Sequence, residues 1–376
     1  MGNGKCIICN HKLNNVIFSM QNMPSLVQNM PKVDEINSDY GMKLDLFECS
    51  YCGLIQFDCE PVYYYKDVIR AVGLSDTMKK LRHDQYQVFF DSFDLKGKKI
   101  WEVGCGGGEF LELWREFDVD IFGVENNDKL VQRACEKDLS VTQGFVNRDY
   151  QDVNGPFDAF VSFNYLEHQP DPTSMINGIY NNLKPGGVGL VTVPSFEYFI
   201  EKASYYEFMR DHIAYYTEGA LSNLFLQNGF EVLSTSRFNG DTTQIIVRKR
   251  IPIQLPDFEA QKREIENKLN TYVNKHADIK RVVVWGASHQ ALTMLATLQL
   301  EFSICYVVDS SPLKQGFYTP VSHLEIKAPN AIVDTSPDLI IVMAPAFSEE
   351  IANQVRKISK SVNHILAIKD DKVMEM

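Results

Sequence analysis

The sequence predicts an α/β protein with two mainly parallel sheets and a small cysteine-rich module ahead of them. Three observations predict it. Strand and helix signals alternate from Lys98 onward, the alternation restarts near Lys280 after a proline-punctuated linker, and five of the eight cysteines fall in the first 60 residues. Strands alternating with helices give a parallel sheet covered on both faces. At 376 residues the chain is long enough for two or three domains, each with its own core. The expected boundaries are 1–90, 91–250 and 255–376.

The first segment reads as irregular. It carries two cysteine pairs and then VYYYKDVIRA, followed by a stretch with apolar residues at helical spacing, so a metal-clipped module followed by a helix is expected. The middle segment begins with the strand KKIWEVG, a helix through EFLELWREF, the strand VDIFGVE and a helix through KLVQRACEK. It continues with the strand PFDAFVSF, a helix through SMINGIYNNL and the strand GGVGLVTVP, and TTQIIVRKR closes the sheet. Pro252 and Pro256 punctuate the linker, and the helix that follows places Phe258, Ile265, Leu269 and Tyr272 on roughly one face. The second α/β unit runs from KRVVVWGASHQA through FSICYVVDSS to PDLIIVMAP.

Composition narrows the function. The formal net charge of −12 repels a nucleic-acid backbone, and no basic aromatic stripe offsets it. No apolar run approaches the roughly 18 residues of a membrane span, and the polar start MGNGKCIICNHK does not serve as a secretory signal. A cytoplasmic protein without nucleic-acid or membrane partners is expected; the number of subunits is not legible.

Residues 101–110, WEVGCGGGEF, place Gly104, Gly106, Gly107 and Gly108 at a strand end, where bare peptide groups admit a ligand. A triphosphate loop needs Lys and Ser or Thr after the glycines, and Glu109 and Phe110 stand there instead. Glu102 would set negative charge close to a pyrophosphate, which disfavours a dinucleotide. It suits a ligand bearing an ammonium and a sulfonium. Glu125, at the end of the next strand in GVENN, is placed to accept ribose hydroxyls. Together the two acids point to S-adenosylmethionine.

Cys6-Ile-Ile-Cys9 and Cys49-Ser-Tyr-Cys52 are two CxxC knuckles, each able to aim two thiolates at one tetrahedral ion. The 39 residues between them exceed the usual ribbon spacing, so their pairing is inferred. Zinc held by all four would be structural. His11 is a substitute ligand close by, and Cys59 is a spare thiol.

The motifs EVGCGGG, GVENN, FDAFVSFNYLEHQPDP and LKPGGVGLVTVP, in this order, resemble the class I S-adenosylmethionine-dependent methyltransferases. That resemblance implies a Rossmann-like domain with Glu102, Gly104, Gly106, Gly108, Glu125, Asn126 and Asn164 at the cofactor. With the cysteine module and a C-terminal unit containing VVVWGASHQA and VDSSPLKQG, nearly the whole chain resembles the sugar C-methyltransferases of deoxysugar biosynthesis. The resemblance implies a structural zinc and a nucleotide-sugar substrate. It also implies a tyrosine-rich segment at the sugar, here Tyr63, Tyr64 and Tyr65, with Tyr64 and Tyr65 as candidate contacts.

The family's catalytic stretch, Tyr-x-Glu-His, is matched by MRDH: His212 matches the histidine, Asp211 replaces the glutamate and Met209 replaces the tyrosine. Histidine suits the role of base because its ordinary pKa lies near neutrality. C-methylation through an enolate is the first expectation and O-methylation at a hydroxyl the second. The C-terminal Rossmann-like unit has one glycine, Gly286, at its first turn, too few for a working NAD site, with Asp309 at the end of its second strand. His289 and Lys314 are its candidate substrate contacts. An RNA methyltransferase and a non-catalytic S-adenosylmethionine-binding protein are the remaining alternatives.

Overall fold

The computed structural model describes all residues except 1, 3, 29, 68–74, 370 and 371, and its chain divides into two units, Met1–Pro252 and Ile253–Met376. Residues 68–71, the end of the tyrosine-rich stretch VYYYKDVIRA, therefore lie outside the described residues.

Both CxxC stretches fold into the same knuckle. The residue after the second cysteine turns left-handed, Asn10 at φ 61° and Gly53 at φ 76°. Its amide returns to the first cysteine's carbonyl, Asn10 N to Cys6 O at 2.9 Å and Gly53 N to Cys49 O at 2.8 Å. One residue on, the carbonyls of His11 and Leu54 accept from the amides of Cys6 (2.8 Å) and Cys49 (2.9 Å). Glycine takes such a backbone without strain, and asparagine is among the few other residues that visit it routinely.

Between and after the knuckles run strands β1 (Asn15–Met23), β2 (Met42–Glu48) and β3 (Ile55–Phe57). The first segment is thus less irregular than its sequence suggests. The alternation that makes β2 a strand is short: Leu44 and Leu46 are buried while Lys43 and Asp45 pair with each other on the opposite side. Tyr63–Tyr65 form turns, with Tyr65 N on Val62 O and Asp67 N on Tyr64 O. The expected helix is α1 (Asp76–Ser92), capped by the Ser75 side chain, which accepts from Met78 N at 3.2 Å.

Then follow β4 (Lys99–Val103), β5 (Asp120–Glu125), α2 (Asp128–Cys135), β6 (Val141–Gln143), β7 (Phe157–Phe163), α3 (Pro172–Asn182), β8 (Leu183–Pro194) and α4 (Phe196–Lys202). After them come β9 (Ala214–Tyr215), α5 (Glu218–Gln227), β10 (Phe230–Phe238) and β11 (Thr242–Lys249). The helix expected in EFLELWREF is a 3-10 helix, Leu111–Glu116. Only Leu111 and Trp114 are buried along it, and residues three apart line up along a 3-10 turn. Trp114 stacks on Tyr86 of α1 with ring centres 4.0 Å apart.

Seven strands form one sheet in the order β10-β11-β8-β7-β4-β5-β6. Strands β6, β5, β4, β7 and β8 are parallel, and β11 and β10 return antiparallel. The order reverses at β4, whose neighbours are β5 on one side and β7 on the other. In open sheets of this kind, ligands bind outside the carboxyl ends at such a reversal, and residues 104–108 form the turn there.

A second sheet, β1-β2-β3-β9, joins the two ends of the unit: Ile55 pairs with Tyr215, Gln56 with Ala214, and Phe57 N donates to Ile213 O at 3.1 Å. Cys6, Cys49, Cys52 and Leu54 share one buried cluster with Trp101, Phe157 and Tyr216. The knuckles therefore have no core separate from that of the large sheet.

The second unit holds α6 (Phe258–Lys275), β12 (Val282–Trp285), α7 (His289–Thr297), β13 (Ile304–Val308), β14 (Ile326–Lys327) and α8 (Ala331–Thr335). It ends with β15 (Leu339–Val342), α9 (Ser348–Ile358), β16 (His364–Lys369) and β17 (Lys372–Glu375). Its sheet runs β14-β13-β12-β15-β16-β17, parallel except for β17, and the order again reverses at the first central strand, β12. Val282 and Val284 face one core cluster, Val283 and Trp285 the other. No helix among the described residues is long and apolar enough to cross a membrane.

Candidate active site

The turn after β4 is held by the acid at the end of β5. Glu125 Oε2 accepts from Gly106 N at 3.0 Å, and Oε1 accepts from Asn127 N at 2.9 Å. Burial raises the Glu125 carboxyl above its ordinary range, while amides from Asn127, Gly106 and Asn126 oppose the shift. Gly104, Gly106 and Gly108 lie at φ 74°, 58° and 78°, a region L side chains rarely adopt. A Cβ on Gly104 would meet the Tyr165 ring at 2.9 Å, and one on Gly108 would meet Leu139 at 2.3 Å. At Gly106 the nearest atom is 3.4 Å away, so the open approach to the turn is there.

Glu102 is 1% exposed and Glu125 7%. Together with Glu109, these acids push the buried Cys105 thiol well above its ordinary value, after burial itself. The buried acids beside the turn fit a ligand that brings an ammonium and a sulfonium, while Lys137 donates to Gly107 O at 3.0 Å and Arg133 pairs with Glu109 at 3.9 Å.

The remaining expected cofactor contacts lie at the same edge. Asn126 Nδ2 donates to Asp67 Oδ1 at 2.6 Å, which ties the tyrosine-rich segment to the end of β5. Tyr65 packs edge-on against Phe145 with ring centres 5.9 Å apart, and Lys66 lies over the same phenyl ring. Asn164, at φ 49°, accepts from the Thr192 hydroxyl at 3.1 Å and anchors its amide on Thr192 O at 2.8 Å.

His212 lies in the segment that leads into β9, and its ring meets that of His168 at 4.7 Å. His168 follows β7 closely, in the 3-10 turn Leu166–His168. Its Nδ1 lies 2.8 Å from the main-chain carbonyl of Asp211. A carbonyl oxygen only accepts, so Nδ1 carries the hydrogen and Nε2 the lone pair. Glu167 completes the group: one polar atom each of Glu167, His168 and His212 lies within 4.8 Å of the others. His212 Nδ1 and Glu167 Oε2 are buried and meet no hydrogen-bond partner among the described residues.

Burial lowers both imidazoles, His212 well below its ordinary value with His168 adding to the shift. Burial also raises the Glu167 carboxyl to about 8. At neutral pH the three groups are therefore uncharged, with histidine nitrogens free to take a proton.

Asp211 plays a different part from the one adjacency suggests. Its carboxylate accepts from the Tyr64 hydroxyl at 2.7 Å and from Val27 N at 3.4 Å. Burial, with Asp211 contributing, pushes the Tyr64 phenol up to about 12. The structure thus joins two expected site residues, Tyr64 and Asp211, across 147 positions of sequence. Sequence reasoning missed Glu167, His168 and Tyr165, although all three stand in the quoted FNYLEHQPDP. The signal available was an acid and a histidine directly after a strand end.

The four cysteine sulfurs also meet. Cys6 Sγ lies 3.5 Å from Cys52 Sγ and Cys9 Sγ lies 3.4 Å from Cys49 Sγ, all four within 4.8 Å of one another. Ligands about 2.3 Å from a tetrahedral zinc stand about 3.8 Å apart, so the set is compatible with a metal. The Cys52 contact pulls the Cys6 thiol down to about 5.

His289 and Lys314 lie in the second unit and line a cavity of about 640 Å³ beside the β12 turn, with Ser288 and Phe317. Lys314 Nζ donates to Ala287 O at 2.9 Å and pairs with Asp309 at 3.2 Å. Asp309 in turn accepts from Ala287 N at 2.8 Å. This repeats the bond between Glu125 and Gly106: in both units the acid ending the second strand holds the first turn.

A methyltransferase domain model matches residues 77–235, and a C-methyltransferase C-terminal domain model matches residues 252–368. The C-methyltransferase NovU of Streptomyces niveus is 22% identical over 94% of this chain and 92% of its own length. The sterol 24-C-methyltransferase erg6 of Aspergillus fumigatus is 35% identical over 28% of this chain and 30% of its own. A ubiquinone biosynthesis O-methyltransferase of Pseudomonas entomophila is 31% identical over 25% of this chain and 43% of its own.

The raised Glu167 carboxyl has a consequence for stability. A carboxyl whose folded pKa is about 8 against an ordinary 4.5 contributes stability below pH 4.5 that is lost as pH rises toward 8. Glu167→Gln keeps the neutral shape, so it is expected to be more stable than wild type at pH 8, by on the order of a few kcal/mol, and alike at pH 4. Urea unfolding of both proteins across that range checks it; parallel pH profiles would contradict it.

Proposed function

Because this chain belongs to the S-adenosylmethionine-dependent C-methyltransferase family, we propose that it methylates a carbon beside the carbonyl of a nucleotide-linked keto-sugar, with His212 as the base. S-adenosylmethionine supplies the methyl group. Glu102, Glu125, Asn126 and Asn164 hold it around the bare turn at Gly104, Gly106 and Gly108.

One observation carries the reading. The Tyr165 ring covers Gly104 of the donor turn, His168 follows Tyr165 by three residues, and the His212 ring from the segment before β9 meets the His168 ring at 4.7 Å. A buried neutral imidazole takes the acidic proton beside a ketone, and the resulting enolate carbon is the nucleophile. His168 fixes the ring edge-on, and Asp211 fixes His168 through its carbonyl. The uncharged Glu167 adds no fixed charge beside the two rings. Charge is neutralised as the methyl moves, so exclusion of water favours the step.

Met209 places a thioether where the family tyrosine stands, which keeps O-methylation as the second reading. Yet a phenol does reach this segment, from Tyr64 through Asp211. Tyr64 and Tyr65 bound the sugar end; His289 and Lys314, beside the second unit's own cavity, are its candidate substrate contacts. Four cysteine thiolates hold a structural zinc. Cysteines gathered as a metal cluster and not as disulfides support work in the cytoplasm as part of the same reading.

The test is a panel of nucleotide-linked keto-sugars with methyl-labelled S-adenosylmethionine, the label located by NMR. A methyl on carbon is expected; a methoxyl signal replaces this reading with the second. His212→Gln is expected to lower kcat/KM by roughly 10²- to 10⁴-fold while retaining affinity for S-adenosylhomocysteine. Since His212 stays neutral below its ordinary pKa, the acidic limb of the wild-type profile should lie below about pH 6.5. Stripping the metal with a chelator should lower the urea midpoint and abolish turnover, both restored by stoichiometric zinc. An unchanged midpoint in verified metal-free protein would remove the structural-zinc assignment.

A further inference from the structure

Glu167, His168 and His212 come from two segments far apart in sequence, the 3-10 turn after β7 and the stretch that leads into β9. We propose that these side chains form a second metal site, which takes a divalent transition ion of the zinc class and thereby disables the base. The inhibitory half of this inference rests on His212 being that base.

The donor set is two imidazoles and one carboxylate, with one ligand atom of each within 4.8 Å of the others. Donors of these kinds about 2.1 Å from a tetrahedral ion stand about 3.4 Å apart, so small side-chain rotations close the set on an ion. Two histidines and a carboxylate suit zinc, cobalt(II) or iron(II), whereas magnesium and calcium favour oxygen ligands alone. No thiol takes part, which separates this site chemically from the cysteine cluster.

The state of each donor supports the same assignment. His168 Nδ1 donates to the Asp211 carbonyl at 2.8 Å, which leaves the Nε2 lone pair as its ligand atom. Metal-binding histidines are oriented in this way, by a carbonyl or carboxylate at the far nitrogen. His212 Nδ1 and Glu167 Oε2 are buried and meet no hydrogen-bond partner among the described residues. Glu167 is only 2% exposed, so water does not compensate its carboxyl. A buried polar atom left in this state costs free energy, and an ion satisfies both atoms at once. The Asp211 carboxylate adds a favourable field at His168. Coordination replaces the proton on Glu167, as it does at any protonated ligand.

Occupancy blocks proton removal directly. With an ion on Nδ1, the neutral His212 ring carries its hydrogen on Nε2, and no lone pair is left for the acceptor's proton. One ion at the cysteines thus supports the fold, while a second at the histidines stops turnover.

The test titrates full-length protein holding one zinc with cobalt(II), followed by visible absorption. One further equivalent should bind, with weak ligand-field bands and without the intense sulfur-to-cobalt charge transfer of a thiolate site. His168→Gln and Glu167→Gln should each lose that step at the same cobalt concentrations. Glu167→Gln keeps the shape of the neutral acid and covers the case in which the histidine variant does not fold. No further uptake by wild type, uptake only with sulfur charge transfer, or an unchanged step in either folded variant would overturn the site. A second equivalent of zinc should stop wild-type methyl transfer, with recovery when a weak chelator removes it; unchanged or faster turnover would overturn the inhibitory role. Failure of the functional reading is told apart because the cobalt titration needs no substrate: wild type that takes up cobalt as expected yet transfers no methyl with one zinc keeps the site and loses the base.

Discussion

Two short strands hold the unit's chemistry in place. β3 starts three residues after Cys52, and β9 starts two residues after His212; they pair through Ile55 with Tyr215 and Gln56 with Ala214. The sulfur cluster therefore does more than close a small module. It fixes the strand that fixes the segment bearing the proposed base. Phe57 packs edge-on against Tyr215 across this seam, with ring centres 5.6 Å apart, so side-chain packing supports the same register as the backbone bonds.

Around that seam the site separates charge by position. The donor turn has buried carboxylates beside it, while the histidine group is neutral because burial favours the uncharged form of every member. A cationic donor is drawn to the first region, and the proposed ketone acceptor would be served by the second. The second unit reuses one device without the charge pattern: Asp309 holds its first turn as Glu125 does, but Lys314 pairs with Asp309 and cancels its field.

Much of the fold was legible in the sequence because its signals are local and periodic. The strands around Glu102, Glu125, Phe163 and Val193 read as apolar runs bounded by turn residues, and the glycine turn at 104–108 stands directly after the first of them. The β1-β2-β3-β9 sheet was not legible, because β3 and β9 are only three and two residues long and one partner lies far along the chain. The helix expected after the glycine turn is a 3-10 helix, since it buries side chains three residues apart.

At the site, the glycines and acids at the strand ends and the two CxxC pairs stand out in the sequence, while the joining of the two pairs was inferred. The link between Tyr64 and Asp211, the facing of His168 and His212, and the buried state of Glu167 could not, for each arises only when distant segments are folded together. His212 itself came from resemblance, and its neutral state from the burial that the fold imposes. Proton removal by His212 is the step on which the functional account turns. The most direct measurement is deuterium uptake beside the carbonyl of a nucleotide-linked keto-sugar in heavy water, with S-adenosylhomocysteine bound so that no methyl can transfer. The account predicts uptake with wild type and almost none with His212→Gln. Equal uptake by both proteins, or none by wild type with a substrate it methylates on carbon, would contradict it.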